Sequence, residues 1–380
     1  MLFNDQRALR ILEKYGLDAL VASTPQNVVY SSDFYSRNQW TKYYGSQVYV
    51  VLPMEREIEP ALITNVTGGG QTWIKDLRSY GQLSFTLTAQ KEMYNPLPEA
   101  KFYGAEASAE EVLVRTLEDK GLSNKTIGFD ELSVLLFERL KKELPKARTI
   151  MVDQAFKELR MTKTEDAIFR LTKVIEITEK SFIAAKETLR PGICVKDVQQ
   201  TIREVVSNEG AAPLLQIVRG GSNLGSGEYK LKKNDIVSFD LINRHNSHLS
   251  DIGRTAFIGR PSDKIEKYYK AIFLGQEEEL KAIKPGMKAS EIFNVAVETV
   301  KTEGIPHYQR GSCGHGIGIG FDLPLIGPRD DTPLEENMVL CVETPYREIG
   351  FGQLMLEDTV VVKKDGAHFL STIDRDLYVV

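Results

Sequence analysis

The chain has 380 residues, of which 42% are hydrophobic and 27% charged, with a formal net charge of −5. That length leaves room for two or three domains with real cores, and the composition is that of an ordinary soluble protein. The acidic balance, with no Lys/Arg cluster interleaved with aromatic residues, argues against a nucleic-acid groove. No apolar run approaches the roughly 18 residues of a membrane span. The opening Met1-Leu2-Phe3-Asn4-Asp5 lacks a basic start followed by an apolar core, so no signal peptide is expected. Cys194, Cys313 and Cys341 are odd in number and far apart, which predicts reduced thiols and a cytoplasmic location without membrane or nucleic-acid partners.

In chain order, residues 5–15 predict a helix with Leu9, Ile11, Leu12 and Tyr15 on its apolar face. Residues 18–22 predict a buried strand and residues 23–27 a turn, with Val28-Val29-Tyr30 opening a further element. Strands follow at 47–52, 61–63, 102–104 and 126–129, with helices over 108–121 and 131–144. Alternating helices and strands predict a small α/β domain over residues 1–152. The aromatic stretch 34–40 reads either as a surface loop or as a lid. The glycine-rich stretch 220–227 lacks the Gly-Lys-Ser/Thr of a phosphate loop.

The second domain is expected over residues 153–380. Thr162-Lys163-Thr164-Glu165 fits a capping box, and behind it Ile168, Leu171, Ile175, Phe182 and Leu189 mark one face of a long helix. That helix ends at Arg190-Pro191-Gly192, and a shorter one follows over 198–207. A second pair is predicted over 262–284 and 289–303, separated by Lys284-Pro285-Gly286-Met287. The matching Pro-Gly settings hint at an internal duplication.

The chemistry concentrates in this second domain. Ile236-Val237-Ser238-Phe239 reads as a strand ending at Asp240, followed by a polar loop and a second strand, Ser250-Asp251-Ile252-Gly253-Arg254-Thr255. A hairpin of that length brings Asp240 and Asp251 side by side, and two adjacent carboxylates repel unless a proton or cation lies between them. Gly314-His315-Gly316-Ile317-Gly318, Val342-Glu343-Thr344-Pro345 and Leu356-Glu357-Asp358-Thr359 each add one possible ligand in an apolar or glycine-rich setting. Two aspartates, one histidine and two glutamates suit two divalent metals sharing carboxylates. Manganese, iron or cobalt fits such a set better than structural zinc, although zinc is also compatible. Cys313 and Cys341 read as small buried residues beside this site.

The order and spacing of these motifs resemble the pita-bread metallohydrolases: methionine aminopeptidase, prolidase, aminopeptidase P and creatinase. The resemblance is close over residues 150–380. It extends more loosely to a creatinase-type N-terminal domain through Leu17-Asp18-Ala19-Leu20 and Asn27-Val28-Val29-Tyr30. It implies that Asp240 chelates one metal, that Asp251 and Glu357 bridge both, and that His315 and Glu343 complete the second. It also implies that Glu343 assists proton transfer, that Thr255 supports the bridging aspartate by a hydrogen bond, and that the protein is a homodimer.

Three positions depart from the family pattern. A substrate-handling histidine upstream of the first aspartate is replaced within Ser222-Asn223-Leu224-Gly225, a second histidine is replaced by Asp322, and an arginine two residues before the last glutamate by Met355. Asp322 is then expected either to bind a cationic group of the substrate or to face water. His245, His248 and His307 are candidates to supply imidazole from another direction. The resemblance implies an Xaa-Pro dipeptidase or aminopeptidase. The departures favour the alternative of a creatinase-like or ectoine-hydrolase-like enzyme acting on a small nitrogen-containing metabolite. A metal-bound interaction protein without activity is the third reading.

Overall fold

The structure is a computed structural model and describes residues 1–42, 46–82 and 99–380. The chain divides into two compact units, Met1–Arg160 and Met161–Val380.

The first unit runs α1 (Asp5–Tyr15), β1 (Ala19–Ala22), α2 (Pro25–Ser32), α3 (Arg37–Trp40), β2 (Tyr49–Pro53), β3 (Ala61–Asn65), β4 (Asp76–Tyr80), β5 (Lys101–Phe102), α4 (Ala109–Asp119), β6 (Thr126–Phe129), α5 (Val134–Glu143), β7 (Arg148–Met151) and α6 (Asp153–Met161). Among the described residues its seven strands form one mixed sheet in the order β5-β4-β3-β2-β1-β6-β7. Helix α1 starts where the Asn4 side chain accepts from the Arg7 N–H and stops at Gly16, whose φ of 62° suits a residue without Cβ. Residues 23–27, expected as a turn, instead lead into α2. Pro25 opens that helix, a position where its missing N–H costs nothing. The Asp130 carboxylate accepts the Ser23 and Thr24 N–H groups at 2.8 and 2.9 Å.

The second unit runs α7 (Glu165–Thr188), α8 (Val195–Asn208), β8 (Ala212–Gly220), β9 (Ile236–His245), β10 (His248–Phe257), α9 (Asp263–Ala282), α10 (Ala289–Glu303), β11 (Gly314–Ile317), β12 (Phe321–Leu325), β13 (Val339–Glu343), β14 (Tyr346–Glu348), β15 (Gly352–Leu354), β16 (Glu357–Lys363), β17 (Gly366–Phe369) and β18 (Tyr378–Val379). A nine-stranded sheet carries the path β12-β11-β13-β16-β10-β9-β8, with β17 on β16 and β18 on β10. The cap of α7 is Thr164, whose hydroxyl accepts from the Ala167 N–H at 3.3 Å. Thr162, expected in that role, is instead drawn into a bridge with Met338.

The two helix pairs sit in equivalent settings. Gly192 and Gly286 both follow proline, with φ of 94° and 91°. The Gly192 N–H donates to the Leu231 carbonyl, and the Leu231 N–H returns to Ile193. Likewise the Gly286 N–H donates to Leu334, and the Leu334 N–H returns to Met287. This bond-for-bond repeat is what an internal duplication leaves behind. Each pair has its own core: α7 and α8 bury Phe182, Val198 and Ile202 with Val237 and Phe239 of β9, whereas α9 and α10 bury Ile272, Phe293 and Val300 with Leu340 and Val360.

Candidate metal centre

Asn246 and Ser247, with φ of 45° and 68°, form a two-residue turn between β9 and β10. Both central residues at positive φ give the twist that suits a tight hairpin. Asp240 therefore lies within its strand and does not end it, and the expected polar loop shrinks to this turn. The register places Asp240 opposite Gly253 and Asp251 opposite Ile242. Since side chains alternate faces along a strand, Asp240 and Asp251 are diagonal neighbours on one face.

The neighbouring strands complete that face. Gly253 pairs with Glu357 and Glu357 with Glu343, giving a row of Asp240, Gly253, Glu357 and Glu343 across four strands. Two residues along, His315 pairs with Cys341 and Cys341 with Thr359, whose hydroxyl donates to the Asp251 carbonyl at 3.2 Å. Gly253 leaves the middle of the first row without a side chain. A Cβ there would stand 3.0 Å from that of Glu357 and closer still to Met355.

Donor atoms of Asp251, His315, Cys341 and Glu357 all lie within 4.8 Å of one another. His315 bonds the Gly316 carbonyl through Nδ1 at 3.1 Å, which leaves Nε2 facing Asp251 Oδ2 at 3.6 Å. Cys341 is within reach of a cation, but burial holds its thiol well above the usual range. It is a neutral neighbour and not an anionic donor.

The electrostatics are those of an acid-crowded, buried site. Asp240 is pushed up to about 7 by burial, with Asp251 and Glu343 adding to the effect. Burial also raises Asp251, Glu343 and Glu357. For Glu357 the other three carboxylates add to it, whereas Arg310 and His315 oppose the rise at Glu343. At His315 burial works against the charged ring, yet Asp251 outweighs it and the shift is upward. Asp251 Oδ1 is buried with no hydrogen-bond partner among the described residues. An orphaned carboxylate oxygen amid three more carboxylates is costly unless a cation satisfies it. The residues present therefore fit divalent metal.

Other expected site residues lie elsewhere. His245 and His248 are out of phase with Asp240 and Asp251 and face the side of the sheet covered by α7. There Ser250 meets Thr178 of α7 at 2.6 Å, and burial holds both imidazoles down, with Lys173 adding to it at His245 and Arg170 at His248. Neither ring reaches the carboxylate face. Thr255 does not bond the aspartate: its hydroxyl donates to the Met355 carbonyl at 2.9 Å and accepts the Met355 N–H at 2.7 Å, because residue 355 lies opposite it. Asp322 neither faces water nor offers a free carboxylate. It is buried against Lys163, Oδ2 to Nζ 3.0 Å, with both side chains almost fully enclosed. Met355 is buried at 2% exposure, packed over Gly253. His307 donates from or accepts at Nε2 with Tyr346 Oη at 2.8 Å.

Arg310 is a site residue the sequence reading missed. Its Nη2 lies 3.0 Å from Glu343 Oε1, and its Nε–H donates to the Ser312 carbonyl at 3.1 Å. Beyond it a cavity of about 450 Å³ is lined by residues 307–310 and 345–348. The available signal was an arginine five residues before His315, in a segment otherwise rich in glycine and small residues.

Residues 170–364 match the model of metallopeptidase family M24, and residues 6–162 match the creatinase/prolidase N-terminal domain. The chain is 31% identical over 264 residues to the Xaa-Pro dipeptidase of Pyrococcus furiosus, covering 67% of this chain and 76% of that protein. It is 31% identical over 261 residues to the Xaa-Pro dipeptidase of Lactobacillus helveticus, covering 66% and 71%. The solved X-Pro aminopeptidase of Thermotoga maritima superposes with a TM-score of 0.77 at 26% identity, over 99% of each chain. The chain belongs to metallopeptidase family M24 and is a metal-dependent hydrolase with a creatinase/prolidase-type N-terminal domain.

Proposed function

We propose that the chain hydrolyses the Xaa-Pro bond of short peptides, using two divalent metal ions held by Asp240, Asp251, His315, Glu343 and Glu357. One observation carries this reading: four carboxylates, Asp251 and Glu357 buried and Asp240 and Glu343 partly so, share one face of the sheet with one imidazole and too little positive charge around them. Manganese, iron or cobalt suits such an oxygen-rich set, and zinc is compatible. When bound, the metals supply a water-derived nucleophile at neutral pH and polarise the scissile carbonyl.

The chain's own residues do the remaining work. The Nδ1 bond of His315 to Gly316 fixes the tautomer and aims Nε2 at the centre. Arg310 holds one oxygen of Glu343, so the carboxylate is fixed in orientation and can accept a proton during attack and return it to the leaving nitrogen. The Thr359 hydroxyl ties the Asp251 main chain to β16. Burial of the face limits competing water and strengthens each of these interactions.

The alternative of a small-metabolite enzyme rests on the three departures from the family pattern, and one of them loses its force: Asp322 is paired to Lys163 and is no free anion for a cationic substrate. The names of the relatives, Xaa-Pro dipeptidases, point the same way as the peptide reading. The test is turnover of a panel of Xaa-Pro dipeptides and longer peptides with manganese, iron or cobalt. Cleavage of at least one, lost on Glu343→Gln, is the expected result. No cleavage of any peptide by protein that demonstrably holds metal would sink the reading. A homodimer, implied by the family resemblance, is checked by light scattering on the same preparation.

A further inference from the structure

Glu279 is a buried acid that the metal face does not include. It lies on α9, whose inner face packs against β13 and the residue after it. Thr344 Oγ1 donates to the Ile272 carbonyl at 2.7 Å, and one turn on Gln276 Nε2 donates to the Val342 carbonyl at 2.9 Å. Glu279 follows three residues later on the same face of the helix, fully enclosed at 0% exposure. Neither of its carboxyl oxygens has a hydrogen-bond partner among the described residues, and the enclosed Tyr308 hydroxyl has none either. Packing alone does not call for an acid here. The surroundings are apolar, with Ile272, Leu280, Tyr308 and Cys313 in one core cluster, and a buried carboxyl without a partner is costly.

One cation is in electrostatic reach. The charge of Arg310 works against the rise that burial imposes at Glu279, Tyr308, Cys313 and Glu343 alike. Its guanidinium therefore serves two acids, one on the metal face and one in the core. It bonds the first, Glu343, through Nη2 at 3.0 Å, and its Nε–H donates to the Ser312 carbonyl at 3.1 Å. Nη1 has no hydrogen bond among the described residues.

We infer that Glu279 is the positioning residue for Arg310 in the metal-loaded hydrolase, its carboxylate answering the guanidinium from the core side while Glu343 answers the metals. The inference rests on the metal-centre reading. Charge counting supports it. In the structure described, Arg310 and Glu343 match one to one, and Glu279 is left over. With two divalent ions bound, the four carboxylates of the face are already neutralised, and Arg310 becomes a surplus cation beside them. Glu279 is the acid placed to offset it. The arginine then keeps its bond to Glu343, and that carboxylate keeps its orientation.

The test is manganese affinity of the full chain by equilibrium dialysis, for wild type, Glu279→Gln, Arg310→Met and the double variant. Glu279→Gln keeps the shape and removes the charge. It is expected to weaken binding by about 10- to 100-fold, the usual worth of an outer partner of a metal ligand. Glu279→Met, uncharged and of similar size, is expected to do the same. The unfolding midpoint of the metal-free variants should be unchanged or raised, because a buried acid has gone. In the Arg310→Met background Glu279→Gln should alter affinity by less than about twofold, since the partner it acts through is absent. Wild-type affinity in Glu279→Gln overturns the inference, and so does an equal loss with and without Arg310. Metal-free variants that are destabilised or unfolded assign Glu279 to packing and overturn it too. If the wild type itself binds no metal, the metal-centre reading falls, and the inference falls with it.

Discussion

Glu357 and Asp358 are neighbours on one strand and face opposite sides of the sheet. Both are buried carboxylates, at 2% and 1% exposure. On the helix-covered side Asp358 is fully matched: Arg254 Nη2 at 2.6 Å, Arg375 Nε at 3.1 Å, Gln276 at 3.2 Å and Ser371 at 2.8 Å. On the other side Glu357 meets three more carboxylates, and the positive groups acting on that cluster are Arg310 and His315 at Glu343 and Arg347 and His315 at Asp240. The same fold neutralises one acid internally and leaves the other to an external cation. A buried charge that the chain does not answer marks where function lies.

That contrast can be broken from either side. The largest expected effect is on the open face. Glu357→Gln or Asp251→Asn should lower metal retention and turnover by more than the roughly 10- to 100-fold seen for outer partners of metal ligands, as read by elemental analysis and steady-state kinetics. In metal-free protein the same substitutions should leave the unfolding midpoint unchanged or raised, since they remove a like charge. On the closed face Arg254→Met should cost about 3–5 kcal/mol in denaturant unfolding, because it removes the shorter of Asp358's two ion pairs together with the bonds to the Glu357 and Ile373 carbonyls. Metal should not rescue it.

His248 provides a pH test of the covered side. Burial and the Arg170 and Lys163 charges hold its imidazole down to about 4, with Asp166 acting in the opposite direction. The unfolded chain binds a proton near pH 6.5 and the folded chain does not, so stability is full above that pH and falls as pH drops towards 4. The loss from this group reaches about 3 kcal/mol. His248→Gln should flatten the dependence over that window, read as unfolding midpoints between pH 7 and 4. The smallest effect belongs to the Lys163–Asp322 pair. Replacing both by Met and Leu should change stability by no more than about 1 kcal/mol, since a buried pair roughly offsets its own desolvation. Turnover should persist if Asp322 does not touch substrate.

The strands that carry Asp240, Asp251, His315, Glu343 and Glu357 were legible because each shows a local apolar pattern. The N-terminal helix α1 was legible through its Asn4 cap and Gly16 stop. The facing of His245 and His248 was within reach of the sequence: both are out of phase with the aspartates on strands of period two. Expecting a long loop where Asn246-Ser247 make the whole turn obscured it. The Lys163–Asp322 pair and the Arg310–Glu343 contact join residues 159 and 33 positions apart. No periodicity encodes contacts of that separation, so they depend on how strands and loops assemble. The β4 strand and helix α6 were missed because Asp76-Leu77-Arg78 and Asp153-Gln154-Ala155 carry polar residues that a buried strand or a domain-end helix need not have.

The central claim is that the carboxylate face is a metal centre, and the most direct measurement is metal content by elemental analysis of wild type and Glu357→Gln purified without added metal. About two equivalents of manganese, iron or cobalt in the wild type, falling sharply in the variant while the fold persists by circular dichroism, is the predicted result. Folded wild-type protein that holds no metal even after loading would contradict it.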